Sequence, residues 1–311
     1  MSEVLILSGQ DIRTLLTVDD CIAAVEEAFL LHAQHRSVGP ASLSLHVDGG
    51  AFHVKAAAIG GSVAVKMNGN FFDNPSRGLP RIQGVVILGD AGNGRPLAIL
   101  DSIDITILRT GAATAVAAKH LALPDAHTLL VCGCGLQGRI SIDAIRRVRP
   151  IDEVLLFDID PARAAALASE VGGRVVDHMV DADIIVTCTP SRAAFLSSAK
   201  AGAFIAAVGA DSSEKQEIAP ALMAASAVIV DDLAQCASFG DLRGAIAAGA
   251  MIERDVRGSL GDVIAGITPG RRSNEEVVIF DSTGTALQDV AAAAIVYERA
   301  IAAGAGTRVM M

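Results

Sequence analysis

The stretch LLVCGCGLQGRISIDAI, residues 129–145, decides the fold. An apolar run of strand type leads directly into Gly133, Gly135 and Gly138 at G-x-G-x-x-G spacing, and a helical pattern opens behind them. Each glycine meets a separate demand. The first permits a tight turn, the second lets backbone approach a pyrophosphate, and the third lets helix and strand pack closely. The helix N-terminus adds N–H groups without intrahelical partners and the positive end of a dipole, which suits phosphate. Gly133, Gly135, Leu136, Gln137 and Gly138 are therefore read as cofactor-binding. The next strand-like segment, EVLLFD, ends in Asp158, twenty residues beyond Gly138. An acid there accepts hydrogen bonds from ribose hydroxyls and repels a 2′-phosphate, so NAD is the expected cofactor. Arg163, close by in sequence, leaves NADP open.

Outward from this motif the chain alternates. The apolar segments DIIVTCT, AFIAAVG, AVIVDD and VVIFDS follow, separated by helical or polar stretches. That alternation predicts an α/β fold, a Rossmann-type doubly wound parallel sheet over residues 121–285. Upstream the texture differs. Residues 17–34 predict a helix capped by Thr17, and residues 42–67 alternate strand-like runs with glycine pairs at 49–50 and 60–61. GVVILGD and PLAILDS flank AGNG as a hairpin, and an Ala-rich helix follows over 105–122. These features predict a smaller α+β domain over residues 1–120, with the last helix, 286–303, returning to it.

Half of the 311 residues are hydrophobic but only 3% are aromatic, so aliphatic side chains must fill the core, as a sheet buried on both faces requires. A net charge of −10 argues against a nucleic-acid surface, which needs clustered Lys and Arg. The N-terminus lacks the pattern of a signal peptide, and no run of apolar residues is long enough for a membrane span, so a cytoplasmic protein is expected. Five cysteines without paired spacing predict reduced thiols and no metal centre. Cys132 and Cys134 would point the same way if both lay on a strand.

Three further groups have chemical interest. Lys55 and Lys66 lie on strand-like segments, and Arg109 opens the helix in ITILRTGAAT; cations from separate segments can converge on a substrate carboxylate. Taken singly, each also fits a solvated edge. His53 shares a strand face with Lys55, two residues away. Asp211 follows a buried-looking strand at the end where open α/β sheets bind ligands, and could relay a proton to an amine. A capping role suits it equally.

The series VKMNGNF (65–71), RGLPRIQG (77–84), LDSIDITILRTGAATAVAAKHLA (100–122), GCGLQG, AVGAD (207–211) and FDSTGTALQDVA (280–291) resembles the ornithine cyclodeaminase/mu-crystallin family. The resemblance spans nearly the whole chain in order. It implies a dimer-forming α+β domain joined to a Rossmann domain, and hydride transfer between a nicotinamide and a nitrogen-bearing carbon. By position, Lys66 matches the family's substrate lysine, Arg109 its carboxylate-binding arginine and Thr110 a phosphate contact. Thr187, Cys188 and Thr189, with Ser282 to Gly284, match loops lining the cofactor. Asp211 matches the aspartate that handles the substrate amine in cyclodeaminases, so Asp211 and Lys66 are the groups expected to act in catalysis.

Two departures qualify the substrate. Pro40–Ala41–Ser42 lacks an arginine that cyclodeaminases carry, and Phe52–His53–Val54–Lys55 replaces their Glu and Met-Pro segment. Lys55 can supply the missing cation from a neighbouring strand. The expectation is a homodimeric reductase or dehydrogenase of a small amino or imino acid, with an ornithine-type cyclodeaminase and a non-catalytic crystallin-like binding protein as alternatives.

Overall fold

The computed structural model describes residues 3–311. Two compact units divide it: residues up to Arg109 together with Thr285–Met311, and Thr110–Gly284. The division falls after Arg109 and not at residue 120. The Ala-rich helix is one continuous element, Ser102–Leu121, and the division falls inside it.

The first unit begins with β1 (Glu3–Leu7), α1 (Gly9–Leu15) and α2 (Val18–Ala33). Thr17 and Asp20 form a capping box at the start of α2, and Ile22, Val25 and Phe29 are buried along it, the helical stripe that the sequence carries. Five strands follow: β2 (Ser37–Val47), β3 (Gly50–Ile59), β4 (Ser62–Phe71), β5 (Ile82–Asp90) and β6 (Pro96–Asp101). Consecutive members pair antiparallel. Gly60 and Gly61 turn β3 into β4 at φ 60° and 83°, a conformation that side chains with a Cβ adopt at a cost. The helix α3 (Ser102–Leu121) starts at Ser102, so Arg109 lies two turns inside it and does not open it.

The second unit is a parallel sheet. Its elements in order are β7 (Thr128–Cys132), α4 (Leu136–Arg146), β8 (Glu153–Phe157), α5 (Pro161–Val171), β9 (Arg174–Val175), β10 (Ile184–Thr187), β11 (Phe204–Ala207), α6 (Pro220–Ala225), β12 (Ala227–Val230), α7 (Leu233–Ser238), α8 (Asp241–Ala247), β13 (Gly258–Ser259), α9 (Leu260–Ile264) and β14 (Val278–Asp281). The strand order is β13-β12-β14-β11-β10-β7-β8-β9. The chain runs outward from β7 through β9, then returns to build β10 on the other side of β7. This reversal is the switch point at which doubly wound sheets bind ligands. Strands β10, β11, β12 and β14 are buried at every residue, which is why they read as unbroken apolar runs. β7 ends at Cys132, so Cys134 lies in the following turn and the two thiols do not share a strand face.

The chain then closes the first unit with α10 (Ala286–Ala303) and β15 (Thr307–Met310). Helix α10 packs against α2, β3 and β4. The first sheet has the order β15-β1-β6-β5-β4-β3-β2. Strand alternation separates its two faces. Lys55 stands opposite Lys66, and Lys66 opposite Val86, on the buried face. Leu43, Val65, Met67 and Ile87 are exposed on the other.

Candidate active site

In the first unit the buried face of β4 carries Lys66, 4% exposed, and α3 carries Arg109, 7% exposed. Both meet Asp289 of α10. The Lys66 ammonium donates to Oδ1 at 2.8 Å, and the Arg109 Nε donates to the same oxygen at 3.1 Å. Arg109 Nη1 also donates to Gln288 Oε1 at 2.8 Å, which fixes the plane of the guanidinium. Burial pushes the Lys66 ammonium down to about 7, helped by the charges of Arg109 and Lys55 and opposed by Asp289. Burial alone would raise Asp289; the charges of Lys66 and Arg109 outweigh it and hold this carboxyl below its ordinary range. Lys55 stands directly across the β3–β4 pair from Lys66, which is how its charge reaches both groups. His53, two residues along β3, shares its Nδ1 with Ser44 Oγ at 3.0 Å. Lys55, Lys66 and Arg109 thus come together as their residue types suggested.

Asp289 was not legible as a site residue, although a signal existed. Its position in ALQDVAAAAIV falls on the same helical stripe as Ala286, Val290, Ala293 and Val296, all buried. A carboxylate on an apolar stripe requires a buried cation.

In the second unit the glycine turn is built as its spacing demands. Gly133 has φ 105°, and a side chain there would meet the Cys188 carbonyl oxygen at 2.8 Å. At Gly138 a Cβ would lie 2.1 Å from the Gly133 oxygen, so α4 can approach β7 only without one. Gly135 is exposed, with open space where its side chain would be. It begins α4 with no side-chain cap, so the first N–H groups of that helix face outward beside exposed Leu136 and half-buried Gln137. Asp158 at the end of β8 aims at the turn: its Oδ2 accepts the Cys134 N–H at 2.7 Å. A cleft of about 340 Å³ opens beside Gly135 and Leu136, with Arg139 and Arg163 in its wall. Gly111 lets α3 press against Ile140 of α4, where a Cβ would meet Ile140 at 2.8 Å, and this holds half-buried Thr110 near the same helix.

The flanking loops differ in part from expectation. Cys188 and Thr189 are half-buried after β10, but Thr187 is completely buried and its hydroxyl donates to Glu217 at 2.8 Å. Ser282 likewise turns inward and donates to Asp231 Oδ2 at 2.8 Å, an oxygen that also accepts the Gly284 N–H at 2.7 Å. Thr187 and Ser282 therefore shape their loops from inside and present no hydroxyl outward. Asp211, exposed beyond β11, meets the Lys215 ammonium at 2.5 Å and caps no helix. Beneath these loops lie carboxylates that nothing in the sequence singled out: Glu217, Asp231, Asp241 and Asp281. Burial raises Glu217 to about 7 and Asp241 to about 6, and lifts Asp281 well above the ordinary range.

A parallel sheet with a glycine turn at its switch point, continuous in chain with a unit that buries a Lys–Arg–Asp cluster, defines a two-unit α/β protein of Rossmann type. The chain belongs to the ornithine cyclodeaminase/mu-crystallin family, whose model matches residues 2–304. It is similar to the alanine dehydrogenase of Archaeoglobus fulgidus, 36% identical over 316 residues that cover 99% of this chain and 98% of the relative. Among solved structures it is similar to an archaeal alanine dehydrogenase dimer with bound NAD, at TM-score 0.97 and 35% identity over the whole of both chains. It is also similar to the Thermococcus litoralis Δ1-pyrroline-2-carboxylate reductase in complex with NADH and L-proline. That likeness has a TM-score of 0.93 and 28% identity over 98% of this chain and 100% of the other.

Proposed function

We propose that this chain is an NAD-dependent oxidoreductase that moves hydride at the nitrogen-bearing carbon of a small α-amino or α-imino acid. One observation carries the reading: Lys66 and Arg109, both buried, share the single carboxylate of Asp289 among the described residues. Two cations against one anion leave positive charge for a second carboxylate, and Arg109 offers it a planar fork. The named relatives act on, or bind, amino or imino acids that carry such a group.

The second unit fits the cofactor. Gly135 leaves open space at the helix N-terminus for a pyrophosphate, and Asp158 follows the next strand, where it would hold a ribose diol. Gly133, Leu136, Gln137, Gly138 and Thr110 would complete that cradle, with Cys188, Thr189 and Gly284 on the flanking loops. A bound nicotinamide supplies or accepts the hydride. The chain's own residues do the rest. Arg109, Lys66 and Lys55 orient the substrate carboxylate, and orientation of reacting groups is worth roughly 7–11 kcal/mol in favourable systems. Reduction of a C=N bond also needs a proton on nitrogen. Lys66, lowered to about 7, can exchange one near neutrality, and Asp211 is the second candidate. The missing arginine at Pro40–Ala41–Ser42 favours a reductase over a cyclodeaminase.

The assay is NADH oxidation with Δ1-pyrroline-2-carboxylate and with pyruvate plus ammonium. Steady consumption with either is expected. Ammonia and proline formed from ornithine with catalytic NAD⁺ would establish the cyclodeaminase instead, and tight NADH binding without turnover on any substrate would mark a binding protein.

The reading extends to a homodimer. Leu43 on β2 is 56% exposed, and Met67 on β4 and Ile87 on β5 are each 44% exposed, on one face of the same sheet, an apolar surface of the kind that covers itself with a partner. Met67→Lys combined with Ile87→Glu should convert a dimer to a monomer in sedimentation; a wild-type monomer would sink the idea. No helix among the described residues is long and apolar enough to cross a membrane. Free thiols at all five cysteines suit the cytoplasm as the proposed compartment.

A further inference from the structure

The carboxylate of Glu217 is fully buried, and the chemistry above gives it no task. Its two oxygens are fully used. Oε1 accepts the Thr189 N–H at 2.6 Å and the Thr189 hydroxyl at 2.7 Å. Oε2 accepts the Gly209 N–H at 2.9 Å and the Thr187 hydroxyl at 2.8 Å. Thr187 and Thr189 bracket the turn after β10, and Gly209 lies in the turn after β11. One side chain therefore ties together two neighbouring loops at the ligand-binding edge of the sheet.

The tie continues to the glycine turn. Cys188, between the two threonines, donates its N–H to the Cys132 oxygen at 2.9 Å, and its thiol reaches the Gly133 oxygen at 3.2 Å. Gly209 shows how tightly the carboxylate is seated, because a Cβ there would strike both Glu217 oxygens at 2.5 Å. Asp241 holds the other side by accepting the Glu217 and Ile218 N–H groups at 2.7 and 2.8 Å.

We propose that Glu217 is a positioning residue for dinucleotide binding, its carboxylate locking the Thr187–Thr189 turn to Gly209 and, through Cys188, to the glycine turn at Gly133. The inference rests on the cofactor reading above. A carboxylate is required there because each oxygen faces a backbone N–H. Glutamine has one acceptor, so either orientation of its amide sets an NH₂ group against Thr189 N–H or Gly209 N–H. Those donors cannot rotate away, as a hydroxyl can. An acid answered by backbone and hydroxyl donors in place of a cation is a costly group to bury, and four hydrogen bonds into two loops are its compensation.

The test is Glu217→Gln, with Thr187→Val as the milder variant that deletes one hydroxyl donor and leaves both backbone donors. NADH affinity is measured by fluorescence titration, and hydrogen exchange is followed at the Thr189, Gly209 and Gly133 amides. Glu217→Gln should weaken NADH binding about 10- to 100-fold and speed exchange at those amides. Its KM for the imino acid should move less than about threefold. Thr187→Val should weaken NADH binding about three- to tenfold. A purely structural role predicts equal losses in both KM values, and that outcome overturns the proposal. So does NADH affinity within twofold of wild type in a folded variant. Should Glu217→Gln fail to fold, the Thr187→Val result decides. Wild-type protein that binds no NADH overturns the cofactor reading, while exchange at the three amides still tests the loop clamp separately.

Discussion

In the first unit the buried carboxylate of Asp289 is answered by side chains, the Lys66 ammonium at 2.8 Å and the Arg109 guanidinium at 3.1 Å. In the second unit the buried carboxylates are answered mainly by backbone. Asp241 accepts two N–H groups ahead of β12, and Asp281 accepts those of Asp241 and Leu242 at 3.2 and 2.8 Å. The difference lies in what can move. Side-chain ion pairs can change partners when an anionic ligand arrives, whereas backbone N–H groups are fixed by the fold and hold an acid in one place. Burial acts on both regions with opposite sign. It lowers Lys66 to about 7, and it raises Glu217 to about 7 and Asp241 to about 6.

The comparison breaks most visibly at Asp289. Asp289→Asn leaves two buried cations without their carboxylate and should cost about 3–5 kcal/mol in urea unfolding at pH 7. Asp241→Asn should cost less than about 1 kcal/mol, because one amide oxygen can still accept both N–H groups that Asp241 Oδ1 now receives. Equal costs would erase the distinction between the two regions. The pH dependence sharpens it. Asp241 is raised in the folded state, so its favourable contribution is present at low pH and fades as pH rises toward about 6. Relative to wild type, Asp241→Asn should therefore look worst near pH 4 and improve through pH 6. Lys66 is lowered in the folded state, so its contribution runs the other way and grows between about pH 7 and 10.

What the sequence made legible follows the same division. The glycine turn could be read because much of its demand is local: Gly133 takes a positive φ, Gly138 sits against the Gly133 oxygen, and Gly135 leaves open space at the helix start, all within six residues. The alternation of apolar strands with helices gave the parallel sheet, since four-residue strands buried on both faces leave no other pattern. Lys55 and Lys66 were legible as cations on strand-like segments, and the β3–β4 register sets them side by side. Asp289 was not, because 223 residues separate it from Lys66 and only the packing of α10 on β4 brings them together. Thr187 and Ser282 were read, by resemblance, as part of loops lining the cofactor, and their hydroxyls turn inward to Glu217 and Asp231. Alternation ends where a strand ends, so the direction of a side chain at that point depends on which buried acid lies beneath it. Glu217 itself, within EKQEIAP, looks like an ordinary polar loop residue until the fold encloses it.

The most direct test of the division of labour is Arg109→Gln, titrated calorimetrically with NADH and then, in the presence of NADH, with L-proline or L-alanine as the carboxylate ligand. Under the proposed roles, the guanidinium for the carboxylate and the second unit for the dinucleotide, NADH affinity should stay within twofold of wild type. Amino-acid affinity should fall about 30- to 100-fold, the loss expected for a charge-assisted pair. Unchanged amino-acid binding, or loss of NADH binding to the same extent, would contradict the assignment of Lys66 and Arg109 as the carboxylate receptor.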